Sequence, residues 1–249
     1  MRSKVMFTCG LCLLITAGSA SATSFFYAPP APADASPPLS GEAELGFTQL
    51  KGNTNSETLI AKGRLVWLSG AFTHSLRGEA RHVSEDEATS AEQYLLAARE
   101  RYDIEGPHYL FGFARWEDDR FSGYDYQATL IGGYGRQVLD NEHHTLSLEA
   151  GPGYRIDSVP GDEDRRLGVA YTALDYRWRF SESASLSQEL SLEGTERNLT
   201  ARSLSSLTSR LNEHLALKIS YEVDHNSRPP DDATARTDRI TNVSLLYDW

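Results

Sequence analysis

Cysteine is almost missing from this 249-residue chain: there are two, Cys9 and Cys12, and both fall in the first 22 residues. That opening segment has the build of a secretory signal. Arg2 and Lys4 form a basic start, residues 5–16 an apolar run, and Ala20-Ser21-Ala22 an A-x-A cleavage site. The run is about 12 residues long, against the ~20 a helix needs to cross a bilayer, so it reads as an address and not an anchor. Thr8 and Leu11 precede the two cysteines where lipidation requires a small residue. Cleavage after residue 22 would leave no cysteine, which excludes disulfides and cysteine-ligated metal from the exported protein.

Long hydrophobic runs are also lacking beyond residue 22. A chain of this kind can enter a membrane only as a closed barrel, because lipid leaves no other way to satisfy the backbone. Basic charge is scarce as well: 24 Lys and Arg face 35 Asp and Glu, a net charge of −11. Loss of Arg2 and Lys4 with the signal would leave 22 basic residues and a net charge of −13. That balance argues against nucleic acid, whose phosphates require basic patches. No G-x-S-x-G motif and no EF-hand spacing occurs.

What is present is a period of two. Residues 23–40 are rich in proline and alanine and read as an extended periplasmic lead-in. From Gly41 to Trp249, apolar and polar residues alternate, and no stretch of helical period competes. Ala43, Leu45 and Phe47 alternate with Glu42 and Glu44; Leu215, Leu217, Ile219 and Tyr221 alternate with Ala216, Lys218, Ser220 and Glu222. Residues 93–102 admit two registers, with either Leu95 and Ala97 or Leu96 and Ala98 outward, and the serine-leucine segment 201–211 is equally ambiguous. Eleven connections are expected, including 84–92, 117–123 and 194–200, and every second one tends to be longer and more acidic. The pattern predicts a transmembrane antiparallel β-barrel of about twelve strands over residues 41–249. Both termini would be periplasmic and the long loops outside.

Alternation alone would also suit a soluble barrel; aromatic placement separates the two. With the apolar face outward, Trp67, Phe72, Tyr102, Tyr109, Tyr134, Trp178, Phe180, Tyr247 and Trp249 fall at the periplasmic strand ends. Phe47, Tyr94, Tyr124, Tyr126, Tyr154 and Tyr221 fall toward the outer ends. Two girdles around an aliphatic belt fit the two lipid interfaces. The expected partners are therefore outer-membrane lipid and lipopolysaccharide. The outer-membrane assembly machinery would read the terminal aromatic strand, where Trp249 stands in place of the commoner Phe. A monomer in the outer membrane is expected.

The inward set is strongly charged: Glu42, Glu44, Lys62, Arg64, Arg77, Glu79, Arg81, Glu149, Lys218, Glu222 and Asp224. Two readings stay open, a narrow charge-lined pore and a lumen plugged by its own ion pairs. The acidic runs at 85–87, 117–119, 162–164 and 231–232 read as solvated loop tips before they read as Ca²⁺ or Mg²⁺ sites. Seven histidines raise the rival of a lipid-modifying barrel enzyme. The pairs His82/Ser84 and His225/Ser227 lack a third partner, however, so no catalytic residue, metal or cofactor is expected. The glycines of Gly132-Gly133 and Gly151-Pro152-Gly153 sit inside strands, where bends, bulges or close strand packing explain them. The sequons at Asn198 and Asn242 read as chance.

Several blocks carry a resemblance. They are ELGFTQLKGNTNSETLIAKGRL (44–65), DRFSGYDYQATLIGGYG (119–135), LSLEAGPGYR (146–155), LALKISYEVDHNSRPP (215–230) and TDRITNVSLLYDW (237–249). In this order they resemble the YdiY-like family of salt-induced outer-membrane proteins, a domain family of unknown function. The resemblance implies an outer-membrane barrel and a link to salt or osmotic stress; it implies no catalytic residue.

Overall fold

The computed structural model describes residues 39–50, 56–85, 88–119, 124–161, 163–228 and 236–249. The signal and most of the lead-in lie outside these residues. Twelve strands follow one another: β1 (Leu39–Leu50), β2 (Ser56–Ser69), β3 (Phe72–Glu85), β4 (Ala88–Asp103), β5 (His108–Asp119) and β6 (Tyr126–Asp140), then β7 (His144–Ser158), β8 (Arg165–Arg179), β9 (Ala184–Gly194), β10 (Leu199–Arg210), β11 (Leu215–Asn226) and β12 (Thr237–Asp248). Each pairs antiparallel with its sequence neighbours, and β1 meets β12 to close the barrel. The end holding Leu39 and Trp249 is called the lower end. Tight turns close it, with Gly70 and Gly106 at φ of 60° and 65°, a conformation that favours glycine.

The period of two sets which face of each strand points out of the barrel. Leu45, Phe47, Leu65, Leu76, Leu130, Leu148, Leu190, Leu217 and Leu245 all lie exposed on the outside. The ambiguous strand β4 resolves with Leu96 outward at 60 % exposure and Leu95 inward at 5 %. In β10, Leu207 faces out and Leu204 in.

Three expectations need correction. Residues 88–92 belong to β4 and 117–119 to β5, so two connections are shorter than their acidic composition suggested. Glu117 is consequently no loop residue: it is buried on the inner wall. Tyr109 and Tyr124 are not interfacial aromatics. Tyr109 has no exposure at all and Tyr124 is buried at the upper mouth. Alternation assigned Tyr109 wrongly because the inner face of β5 is itself aromatic, so either register looks apolar there.

The glycines between β6 and β7 hold two backbones unusually close. A Cβ at Gly133 would lie 2.3 Å from the Ala150 carbonyl oxygen, and one at Gly151 would lie 2.2 Å from that of Gly132. Close strand packing is therefore their structural role.

Candidate functional site

The inner wall is built from two kinds of strand. β2, β3 and β4 point long side chains inward: Lys62, Arg64, Arg77, Glu79, Arg81, Arg99 and Arg101. The inner face of β9–β12 interleaves small polar residues, with Ser185, Ser187, Ser191, Ser206, Thr208, Ser220 and Ser244 buried, among a few long charged ones such as Glu193, Arg202 and Lys218. Long groups opposite short ones fill the bore without widening the barrel, as facing large and small residues do in any packed interior.

Every lumen candidate named from the sequence lies on this inner wall. Arg64 Nη2 donates to Glu42 Oε1 at 3.1 Å. Lys218 Nζ donates to Glu44 Oε2 at 2.8 Å, and the Ser244 hydroxyl donates to the other carboxylate oxygen at 2.7 Å. Glu79 takes Lys62 at 3.2 Å and Arg77 at 3.0 Å, while Lys62 also faces Glu222 at 3.9 Å. Arg81 donates to Gln93. Glu149 accepts from Arg99 and from the Tyr109 hydroxyl, the latter at 3.0 Å. A cavity of about 20 Å³ remains among Glu42, Glu44, Lys62, Arg64, Arg77 and Lys218. That is room for about one water.

The strongest cluster centres on Glu193, a residue not singled out from the sequence. Near the upper end, three guanidinium groups converge on Glu193, which is 1 % exposed. Arg115 reaches it at 2.8 Å, Arg202 at 3.1 Å and Arg155 at 3.6 Å. Arg115 and Arg202 share Glu117 as well, at 2.8 and 3.0 Å, and Arg155 also holds Asp157 at 2.9 Å. Arg202 further faces Asp224 at 3.5 Å. β5 and β10 are five strands apart one way round the barrel and seven the other. The Glu117–Arg202 pair therefore crosses the bore and does not run along its wall. Part of the signal for this knot was in the sequence: Glu189, Ser191 and Glu193 continue the inward period of β9. Glu117 was hidden by its acidic neighbours, and Arg202 lies in the serine-leucine segment whose register the sequence left open.

Below the knot the lumen turns apolar. Tyr109, Phe111, Phe113, Ile131, Val169 and Tyr171 form one buried cluster inside the barrel. Arginine joins the two regions: Arg99 lies 4.9 Å over the Phe111 ring, Arg101 3.6 Å over Tyr109 and Arg115 5.9 Å over Phe113. Such stacking adds cation–π attraction to the packing.

Of the interface aromatics, Phe72, Tyr154, Trp178, Tyr247 and Trp249 are exposed on the outer face; Trp67 and Tyr126 are half-buried. Tyr124, at the upper mouth between β5 and β6, is different. Burial pushes its hydroxyl up in pKa, and Asp157 adds to the effect against Arg155 and Arg165. Lower-end histidines stack on girdle rings: His74 on Trp67 at 4.9 Å, His144 on Tyr176 at 6.0 Å, His108 on Tyr134 and His214 beside Tyr247, both at 5.8 Å. At the upper mouth His225 meets Thr237 at 2.8 Å, while the Ser227 hydroxyl donates to Asn198 at 3.0 Å. Asn198, in one of the two sequons, is buried, and its carboxamide also donates to Thr200 and Asn226. It latches the 195–198 turn to the end of β11.

The chain is 36 % identical over 216 residues to the uncharacterized protein YdiY of Escherichia coli (strain K12), covering 87 % of this chain and 85 % of YdiY. Among solved structures it is similar to the translocator domain of the autotransporter NalP from Neisseria meningitidis. The TM-score is 0.52 at 13 % identity, over 86 % of this chain and 90 % of that one. The KdgM porin also matches, with TM-score 0.45 and 15 % identity over 84 % and 98 % of the two chains. The model of the family described as "Protein of unknown function, DUF481" matches residues 43–249. With a relative this similar along most of its length and a family match across the whole barrel, the chain belongs to the DUF481 family.

Proposed function

We propose that this protein is an outer-membrane barrel whose lumen is closed at rest by its own side chains. It serves the envelope as a locked wall element and not as an open passive channel. The carrying observation is the convergence of Arg115, Arg155 and Arg202 on Glu193, together with the Glu117–Arg202 pair across the bore. Ion pairs this deeply buried hold because each partner would be left uncompensated without the other. They are screened far less by salt than exposed pairs. A link to salt or osmotic stress rests on the family resemblance alone, and belongs to this proposal only as a reason to follow expression under osmotic upshift.

Planar-bilayer recording of the refolded protein tests the reading. A quiet baseline is expected at physiological salt. Regular step currents from the wild-type protein would make it a channel instead.

A further inference from the structure

The barrel is not closed equally well all round. Eleven of its seams register 10 to 14 residue pairs each. The seam between β1 and β12 registers five, from Glu42–Asp248 to Gly46–Ser244. Just below them Gly41 and Trp249 exchange two backbone hydrogen bonds at 3.1 Å. Above Gly46 the two strands go on, but not with each other: β1 continues to Leu50 against β2, and β12 runs from Thr237 to Val243 against β11. Among the described residues, the upper half of this seam is therefore two facing strand edges.

The register says which groups those edges present. Gly41 and Trp249 form a hydrogen-bonded pair, and such pairs recur at every second residue of an antiparallel ladder. The next two after Leu45–Leu245 would be Phe47–Val243 and Gln49–Thr241. Their N–H and C=O groups are aimed at the seam. Phe47 stands roughly 15 Å above Gly41, given the strand rise and the usual tilt. That is the height of the upper aromatic girdle, so the open edge starts where the apolar belt ends. Asn242 marks the point where pairing ends. It is 4 % exposed, lies against Gly46, where a Cβ would sit 2.5 Å from its Oδ1, and neither atom of its carboxamide has a hydrogen-bond partner.

We propose that this open half-seam is the contact surface for a second copy of the same chain. The upper part of β12 takes β1 of the partner molecule, and the partner's β12 takes β1 of the first. The argument is complementarity: in the lower half the strand that fits the β12 edge is β1, in antiparallel sense and in known register. A two-fold axis along the membrane normal keeps both copies in the same orientation and satisfies all four open edges at once, as an isologous interface requires. Edge strands left open invite pairing of this kind. The inference goes beyond the closed lumen and does not depend on it.

Single-cysteine cross-linking tests it, since residues 23–249 contain no cysteine. Phe47→Cys and Val243→Cys chains are made separately, tagged differently, co-expressed with their own leader and oxidised in the membrane. A disulfide between the two different chains is expected. A control pair on a fully registered seam, Leu186→Cys with Leu207→Cys, should give none. The wild-type protein in nanodiscs should have twice the mass of one chain, which keeps the test valid should a variant fold poorly. The proposal is overturned by a monomeric mass, by a doubly substituted chain that closes its own disulfide, by the absence of any F47C–V243C link, or by linkage to a different protein.

Discussion

Two regions of the lumen fill the same bore by opposite means. The cluster of Tyr109, Phe111, Phe113, Ile131, Val169 and Tyr171 excludes water by size and shape. The knot around Glu193 fills its space with charges that tolerate burial only because they face one another. β5 contributes to both, with Tyr109, Phe111 and Phe113 toward its lower end and Arg115 and Glu117 above them. The difference teaches what each region can do. Apolar packing loses contacts in proportion to what is removed, whereas an ionic knot fails as a unit. A closed lumen that must never open needs only the first kind; the second is the one that a change of charge could release.

The largest effect should come from the knot. Glu193→Ala leaves three guanidinium groups facing each other, and removing one partner of a buried ionic group costs about 3–5 kcal/mol. Urea unfolding in lipid vesicles should show that loss; a cost no greater than that of an exposed pair would mean the knot is not a unit. Phe113→Ala comes next, at about 3 kcal/mol for a large buried aromatic. It should destabilise the barrel without producing step currents, and currents from this variant would erase the distinction between the two regions. Smaller still is the double change Glu44→Met with Lys218→Met. An apolar pair of similar volume replaces an ion pair nearly neutrally, within about 1 kcal/mol, while Lys218→Met alone should cost several times more. Smallest is Arg197→Ala. Its pair with Glu196 is exposed on the upper turn at 3.8 Å, and no measurable change in stability is expected.

The barrel was legible in the sequence because a period of two is a covalent property of strands: Leu45, Leu65, Leu148 and Leu245 had to share a face. Strand ends were less legible. The acidic run 85–87 starts on the last residue of β3 and otherwise lies outside the described residues, while the equal run at 117–119 is strand, where Glu117 meets Arg202 across the bore. No local pattern reports a partner 85 residues away. Tyr109 shows the converse failure, where an aromatic inner face mimics an outward-facing one. The inward charges could be listed from one strand at a time, yet whether they form a passage or a lock depends on which strands lie opposite, and barrel closure decides that. The short β1–β12 seam has no signature in sequence either, since both strands alternate normally beyond the point where their pairing stops.

The central claim is the closed lumen, and single-channel conductance measured side by side on wild-type protein and Glu193→Gln is its most direct test. Wild-type protein is predicted to stay silent, and the variant, with three arginines released from their shared carboxylate, to show intermittent openings. Steady, equal conductance from both proteins would contradict the account.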